Sequence, residues 1–326
     1  MPNTNNISNY SMASIYANLE HFYLIQFWIF LLLIIPAMIS LCFGLYNFFR
    51  DKNLRQSLHN HIILVLLIIN AFYQVTDMIY FIHYFRCFET FSATPAFHLI
   101  FGCIDWGVFT LQYILYAWIT MERHILIFHN QLLSTSRKRL LLHYLPPILL
   151  TIYCLLYYAI IFFASKCTYN FENMLATNYM PCGFANNALK TYEIIAHTIL
   201  PTFIIVFSSI ALLLRVFWHK YRMKQQFHWR RYRVMVMQVL PISCIFLIFP
   251  FPYVIVVLLQ ICGLSAAIGG AFLSIARFSS YYALLIFPII AVGSSAELIH
   301  QFKKILLCGR PERAIAPTMT FNRQMT

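Results

Sequence analysis

Charged side chains are scarce in this chain, and those inside its apolar segments fall at spacings that could do chemistry. Glu122, Arg123 and His124 stand side by side near the end of an apolar segment running from Phe97 to Phe128. Asp105 lies 18 residues before Arg123 in the same segment, about 27 Å of helix at 1.5 Å per residue. Glu193 and His197 are four apart and share one helical face. Arg277 lies one helical turn from Tyr281, and Asp77 interrupts another apolar run. A charge at a bilayer centre costs roughly 2.5–3.5 kcal/mol on insertion scales, so such residues mark function by default. The chemistry they suit is ion pairing and ligand binding. Nothing resembling a nucleophile–base pair or a metal-ligand cluster occurs at usable spacing, so neither enzyme activity nor a cofactor is expected. His59 and His61, two apart, face different sides of a helix.

The elements that must position these groups follow from composition. The chain has 326 residues, 61% hydrophobic and only 10% charged, with a mean hydropathy of +0.70. Soluble domains carry about 25% charged residues, so this is expected to be a membrane protein. Apolar runs recur near 22–49, 61–84, 97–128, 140–164, 191–218, 234–259 and 266–292. Each can cross about 30 Å of hydrocarbon as a helix. The expected fold is all-α, a bundle of seven transmembrane helices. With the N-terminus outside, 19 of the 23 Lys and Arg fall on the inner side, as the positive-inside rule requires. The net charge of +13 therefore reads as topology and contact with anionic membrane lipids, not as nucleic-acid binding.

The partition is an extracellular tail over 1–21, a membrane domain over 22–293, an amphipathic interfacial helix over 294–308 and a cytoplasmic tail over 309–326. Asn6 and Asn9 begin glycosylation sequons in the outer tail. Cys87, Cys167, Cys182 and Cys262 lie towards the oxidising side, so an outer disulfide is expected, with connectivity open. Asn70 sits at mid-depth and needs a partner on a neighbouring helix. Pro250 and Pro252 should bend the sixth span sharply. Ser294-Ser295 followed by apolar residues at helical spacing predicts a capped interfacial helix, and Cys308 at its end is a candidate for palmitoylation.

Taken together, these residues resemble the rhodopsin-like G-protein-coupled receptors over nearly the whole chain, from Phe22 to Cys308. Glu122-Arg123-His124 stands where that family has an acidic-arginine-aromatic triplet. Asn60 and Asn70 match polar positions of its second helix, and Pro201, Pro250 and Pro288 match its helix five, six and seven prolines. The chain departs from the pattern as well. Asn70 replaces the usual carboxylate, Leu247-Ile248-Phe249-Pro250 lacks the tryptophan, and Phe287-Pro288-Ile289-Ile290-Ala291 lacks both the asparagine and the tyrosine. Cys182 matches the second outer-loop cysteine, but His98 occupies its usual partner's position, leaving Cys87, Cys103 or Cys167 to substitute.

The resemblance implies a plasma-membrane receptor that binds an extracellular ligand and activates a heterotrimeric G protein by movement of helix six. Glu122 would hold Arg123 as an ion pair at rest, and Pro250 and Pro288 would serve the switch. Asp105 stands where amine receptors keep an ammonium-binding aspartate, with Tyr281 where the family places its hydrogen-bonding tyrosine. Asp105, Glu193 and Asp77 favour a cationic amine or peptide, with His197 facing the same cavity. Arg277 offers the alternative, an internal partner that neutralises Asp105. Two other readings stand beside the receptor: a seven-span decoy that no longer couples, and a channel or transporter.

Overall fold

The computed structural model describes residues 4–87, 94–165, 181–222, 240–264, 270–295 and 298–302, and of residues 4–19 the backbone alone. Every regular element among them is helical. Six helices are long and apolar enough to cross a membrane: α1 (Glu20–Arg50), α2 (Asn60–Cys87), α3 (Pro95–Phe128), α4 (Ser136–Ala164), α5 (Asn187–Trp218) and α7 (Ile275–Gly293). A bent pair, Leu240–Ile248 with Pro250–Ile261, forms α6 and makes a seventh if counted as one span. The helix containing α1 starts at Thr4, within the segment expected to be a polar tail. The side chains of Asn6 and Asn9, and all of Cys167 and Cys308, lie outside the described residues.

Helix α3 lies at the centre, packed against α2, α4 and α5, while α7 packs on α1 and α6. The apolar core runs through Phe30, Leu66, Leu67, Leu115, Tyr116, Phe246, Leu284 and Phe287, all at most 1–2% exposed. The outward faces carry Leu32, Ile39, Ile148, Leu156, Phe207 and Leu214, large apolar side chains left exposed. A hydrocarbon environment suits such a surface, because there exposed Leu and Ile carry no penalty.

Local chemistry sets the helix ends and bends. Asp51 caps the short turn after α1 by accepting from the Asn53 and Leu54 amides at 2.9 and 3.5 Å. Buried Asn60 closes the same connection by donating to the Leu54 carbonyl at 3.1 Å. Thr94 is extended and Pro95 opens α3, the position where proline's missing N–H is harmless. α6 bends by 47° at Phe249. Pro250 and Pro252 cannot donate to the carbonyls four residues before them, as the sequence predicts. Ser295 provides the expected cap, its Oγ accepting from the Leu298 amide at 3.4 Å, and the chain beyond it is helical over 298–302. That turn docks through Phe302 against Phe43 of α1, ring centroids 5.4 Å apart.

Pro288 has a more specific consequence. It removes the N–H that would have satisfied the Leu284 carbonyl of α7. Asn70 fills the vacancy from α2, its Nδ2 donating to Leu284 O at 3.0 Å and to Gln112 Oε1 of α3 at 2.9 Å. Gln74 Nε2 donates in turn to Asn70 Oδ1 at 2.7 Å. Asn70 is fully buried, so its expected partner exists and joins three helices.

Among the described residues four stretches are π-helical, each holding about one extra residue per turn: Gln74–Met78 in α2, Leu140–Tyr144 and Ile160–Ala164 in α4, and Glu193–Ile199 in α5. Such bulges concentrate at functional sites. Three of these four contain a buried ionisable residue: Asp77, His143, and the pair Glu193 with His197.

Candidate functional site

A cavity of about 320 Å³ opens among α3, α5, α6 and α7, at the low end of ligand-site volumes. Asp105, Glu193, Arg277, Tyr281 and Pro250 line it, bringing together residues from four helices. Trp106, Phe109, Tyr113 and Tyr253 supply aromatic walls and Lys190 stands at its α5 side. Asp105 Oδ1 accepts from Tyr73 Oη at 2.8 Å and, at the long limit, from Tyr281 Oη at 3.5 Å. The expected proximity of Tyr281 to Asp105 is therefore present. Arg277, the alternative partner, lines the same cavity as Asp105. The Arg277 guanidinium lies over the Trp106 ring, 5.6 Å from its centroid, in a cation–π arrangement.

Glu193 is spoken for by its neighbours. Tyr158 Oη donates to Glu193 Oε1, and His197 Nδ1 donates to Glu193 Oε2 at 2.7 Å. Thr110 Oγ1 lies 2.7 Å from Tyr158 Oη; with the phenol proton given to Glu193, the threonine donates. On the other side, Tyr153 Oη lies 2.7 Å from both His197 Nε2 and Tyr192 Oη. Tyr192, Tyr153 and His197 thus donate in sequence towards one carboxylate. Gly107 of α3 packs beside Tyr158, where a Cβ would meet Tyr158 Cβ at 3.4 Å, an ordinary contact. His197 lines a separate groove among α3, α4 and α5 instead of the cavity. Asp77 also lies outside the cavity lining, fully buried, with Thr76 Oγ1 donating to its Oδ2 at 2.6 Å. Both were expected to face the ligand cavity, and neither lines this one.

The opposite end of α3 carries the second cluster. Arg123 is fully buried and Glu122 nearly so. Glu122, expected to pair with Arg123, meets His143 Nδ1 of α4 through its Oε1. On its other side, His143 Nε2 lies 3.1 Å from His61 Nδ1 of α2. Tyr144 Oη lies 3.3 Å from the same His61 nitrogen. His124 Nε2 donates to the Ser208 carbonyl of α5 at 2.7 Å. This end therefore ties α2, α4 and α5 to Glu122 and His124 of α3. Between the two clusters, Phe246 of α6 packs edge-on to Tyr113 and Tyr116 of α3, with centroids 5.1 and 5.2 Å apart.

Neither a family model nor a curated protein sequence matches this chain. The site stands on its own geometry.

Cys182 is disulfide-bonded, whereas Cys87 and Cys103 are free thiols. Cys87 is thus removed as the partner, as is Cys103. Cys167 stays a candidate outside the described residues. The residues missed in sequence are His61, His143, Tyr153 and Tyr158. The available signal was that a histidine or tyrosine inside an apolar run needs a partner, just as Asn70 does.

Proposed function

We propose that this chain is a rhodopsin-like G-protein-coupled receptor: seven spans in the plasma membrane, N-terminus outside, an extracellular ligand in the Asp105 cavity and a heterotrimeric G protein at the Arg123 end. One observation carries the reading. A ligand-sized cavity lined by the buried acid Asp105 and a buried arginine occupy opposite ends of the same central helix, and α6, bent at Pro250, touches that helix between them. A ligand preferring the arrangement with α6 displaced shifts the population by its differential affinity alone. Movement of α6 would uncover Arg123 for the G protein, and the basic residues Arg137, Lys138 and Arg139 flank that end. Asp105 favours a ligand with a cationic group, an amine or a peptide.

The resting lock differs from a simple Glu122–Arg123 pair. Glu122 is held by His143, so breaking the lock means separating α3 from α4 and α2 at His143 and His61. The same observation favours a second reading, a receptor-like decoy whose Glu122 is withdrawn from switching. G-protein dissociation in cells, wild type beside Arg123→Ala at equal surface expression, decides between them. A signal lost in the variant supports coupling; equal signalling sinks the assigned role of Arg123.

A further inference from the structure

Apart from the Asp105 cavity, a groove of about 500 Å³ runs among α3, α4 and α5. Leu149 and Leu200 on its rim are each more than half exposed, so it opens towards the outside of the bundle. Ala117, Ala196, Pro146 and Pro201 hollow it out. Along α5 it extends from Tyr192 to Ile204, about 18 Å of helix at 1.5 Å per residue. No Lys, Arg, Asp or Glu is among the described residues that line it.

Its hydrogen-bonding side chains gather at one end. Tyr153 Oη lies 2.7 Å from both His197 Nε2 and Tyr192 Oη, and all three residues line the groove. Trp118 lines it deeper down, with its Nε1 buried. Tyr192 is the loose end of the chain that starts at Glu193, where His197 Nδ1 is committed. If His197 Nε2 accepts, Tyr192 donates to Tyr153 and its own oxygen is left an acceptor. If Nε2 donates, the protons run the other way and Tyr192 has one left to give. Among the described residues Tyr192 makes no hydrogen bond besides that to Tyr153, and it is 46% exposed. A hydroxyl meets either case, since it both donates and accepts. Tyr192 also lies in the first turns of α5, which begins at Asn187, the level at which tyrosine rings settle in a membrane interface.

We propose that the groove binds a sterol from the surrounding bilayer, with its hydroxyl on Tyr192 Oη and its rings lying along the groove towards Ile204. A sterol is the membrane lipid whose whole polar part is one hydroxyl, matching one open hydrogen-bonding position at the end of an apolar trough. A phospholipid would bring a phosphate to a lining without Lys or Arg. A diacylglycerol or a ceramide would carry ester or amide groups against apolar walls, where they find no partner. The proposal requires the chain to lie in a bilayer and does not require it to signal.

The test is photolabelling of the full-length protein in phosphatidylcholine vesicles that contain a diazirine analogue of cholesterol, with labelled peptides located by mass spectrometry. Label should concentrate on residues 114–121, 146–153 and 192–204. Cholesterol should displace it, and dioleoylglycerol at the same mole fraction should not. Ala196→Leu, which fills the groove, should remove most of the label there. Tyr192→Phe should raise the mole fraction of probe needed for half-maximal labelling about threefold, the worth of one average hydrogen bond within a membrane. Label absent from those stretches, or spread evenly over the outward helix faces, overturns the proposal. So does groove label that survives Ala196→Leu, or equal displacement by dioleoylglycerol. A Tyr192→Phe protein that labels at the wild-type mole fraction overturns it as well, and this variant keeps the ring, so its result stands where Ala196→Leu fails to fold.

Discussion

Asn70→Asp restores the carboxylate that the receptor family usually carries at this position, and the geometry here predicts that it destabilises the protein. Leu284 O can only accept, and Pro288 has removed its helical donor, so the Asn70 amide must present Nδ2 to it. The second Nδ2 hydrogen goes to Gln112 Oε1. A carboxylate has neither hydrogen. Gln112 can turn its amide and donate, recovering that contact, but a backbone carbonyl cannot turn. The net loss is one buried acceptor left unsatisfied, about 1–3 kcal/mol, with an anion now facing a carbonyl dipole. Interhelical hydrogen bonds in membranes average only about 0.6 kcal/mol by double-mutant cycles, so the lower half of that range is the firmer expectation. Asn70→Ala, which loses the same bond without adding charge, should fall between wild type and Asn70→Asp. Thermal unfolding in nanodiscs at neutral pH measures all three. An Asn70→Asp protein that melts at or above the wild-type temperature would refute the reasoning.

Further substitutions probe the other contacts. His143→Ala leaves the buried Glu122 carboxyl without its imidazole partner and should cost about 1–3 kcal/mol, whereas adding Glu122→Ala should recover part of the loss in a double-mutant cycle. Gly183→Ala places a Cβ 2.8 Å from the Ile161 carbonyl and 2.9 Å from Ser165 Oγ. The main chain must shift, and the melting point should fall by an amount equivalent to about 1–3 kcal/mol. Cys182→Ser should lower thermal stability by about 2–4 kcal/mol while Cys87→Ser leaves it unchanged, read by the same melts with and without reductant.

Much of the scaffold is legible in the sequence because the bilayer constrains it so strongly. Uninterrupted apolar runs mark the spans, Pro250 and Pro252 the bend of α6, and Ser295 the cap before the terminal turn. Asn70 visibly needs a partner, though only the structure shows that Pro288 creates the need it meets. The misplacements have one physical source. Straight α-helical geometry puts His197 and Asp77 towards the cavity, and both lie in π-helical turns. One extra residue in a turn rotates the remainder of the helix by about 100°, enough to move a side chain off an expected face. His143 lies in another such turn, and its meeting with Glu122 joins residues 21 apart on different helices. No local pattern encodes that distance. Adjacent residues on a helix point in different directions, so Glu122 meets on α4 a partner that its own helix does not reveal.

The most direct test of the account is G-protein dissociation across a panel of Gα subunits, run basally and with a mixed library of amine and peptide probes. Wild type is set beside Arg123→Ala, with surface expression matched. The receptor reading predicts a signal from at least one Gα that falls to background in the variant. A wild-type signal unchanged by Arg123→Ala, or silence across the panel with a probe bound, would contradict it.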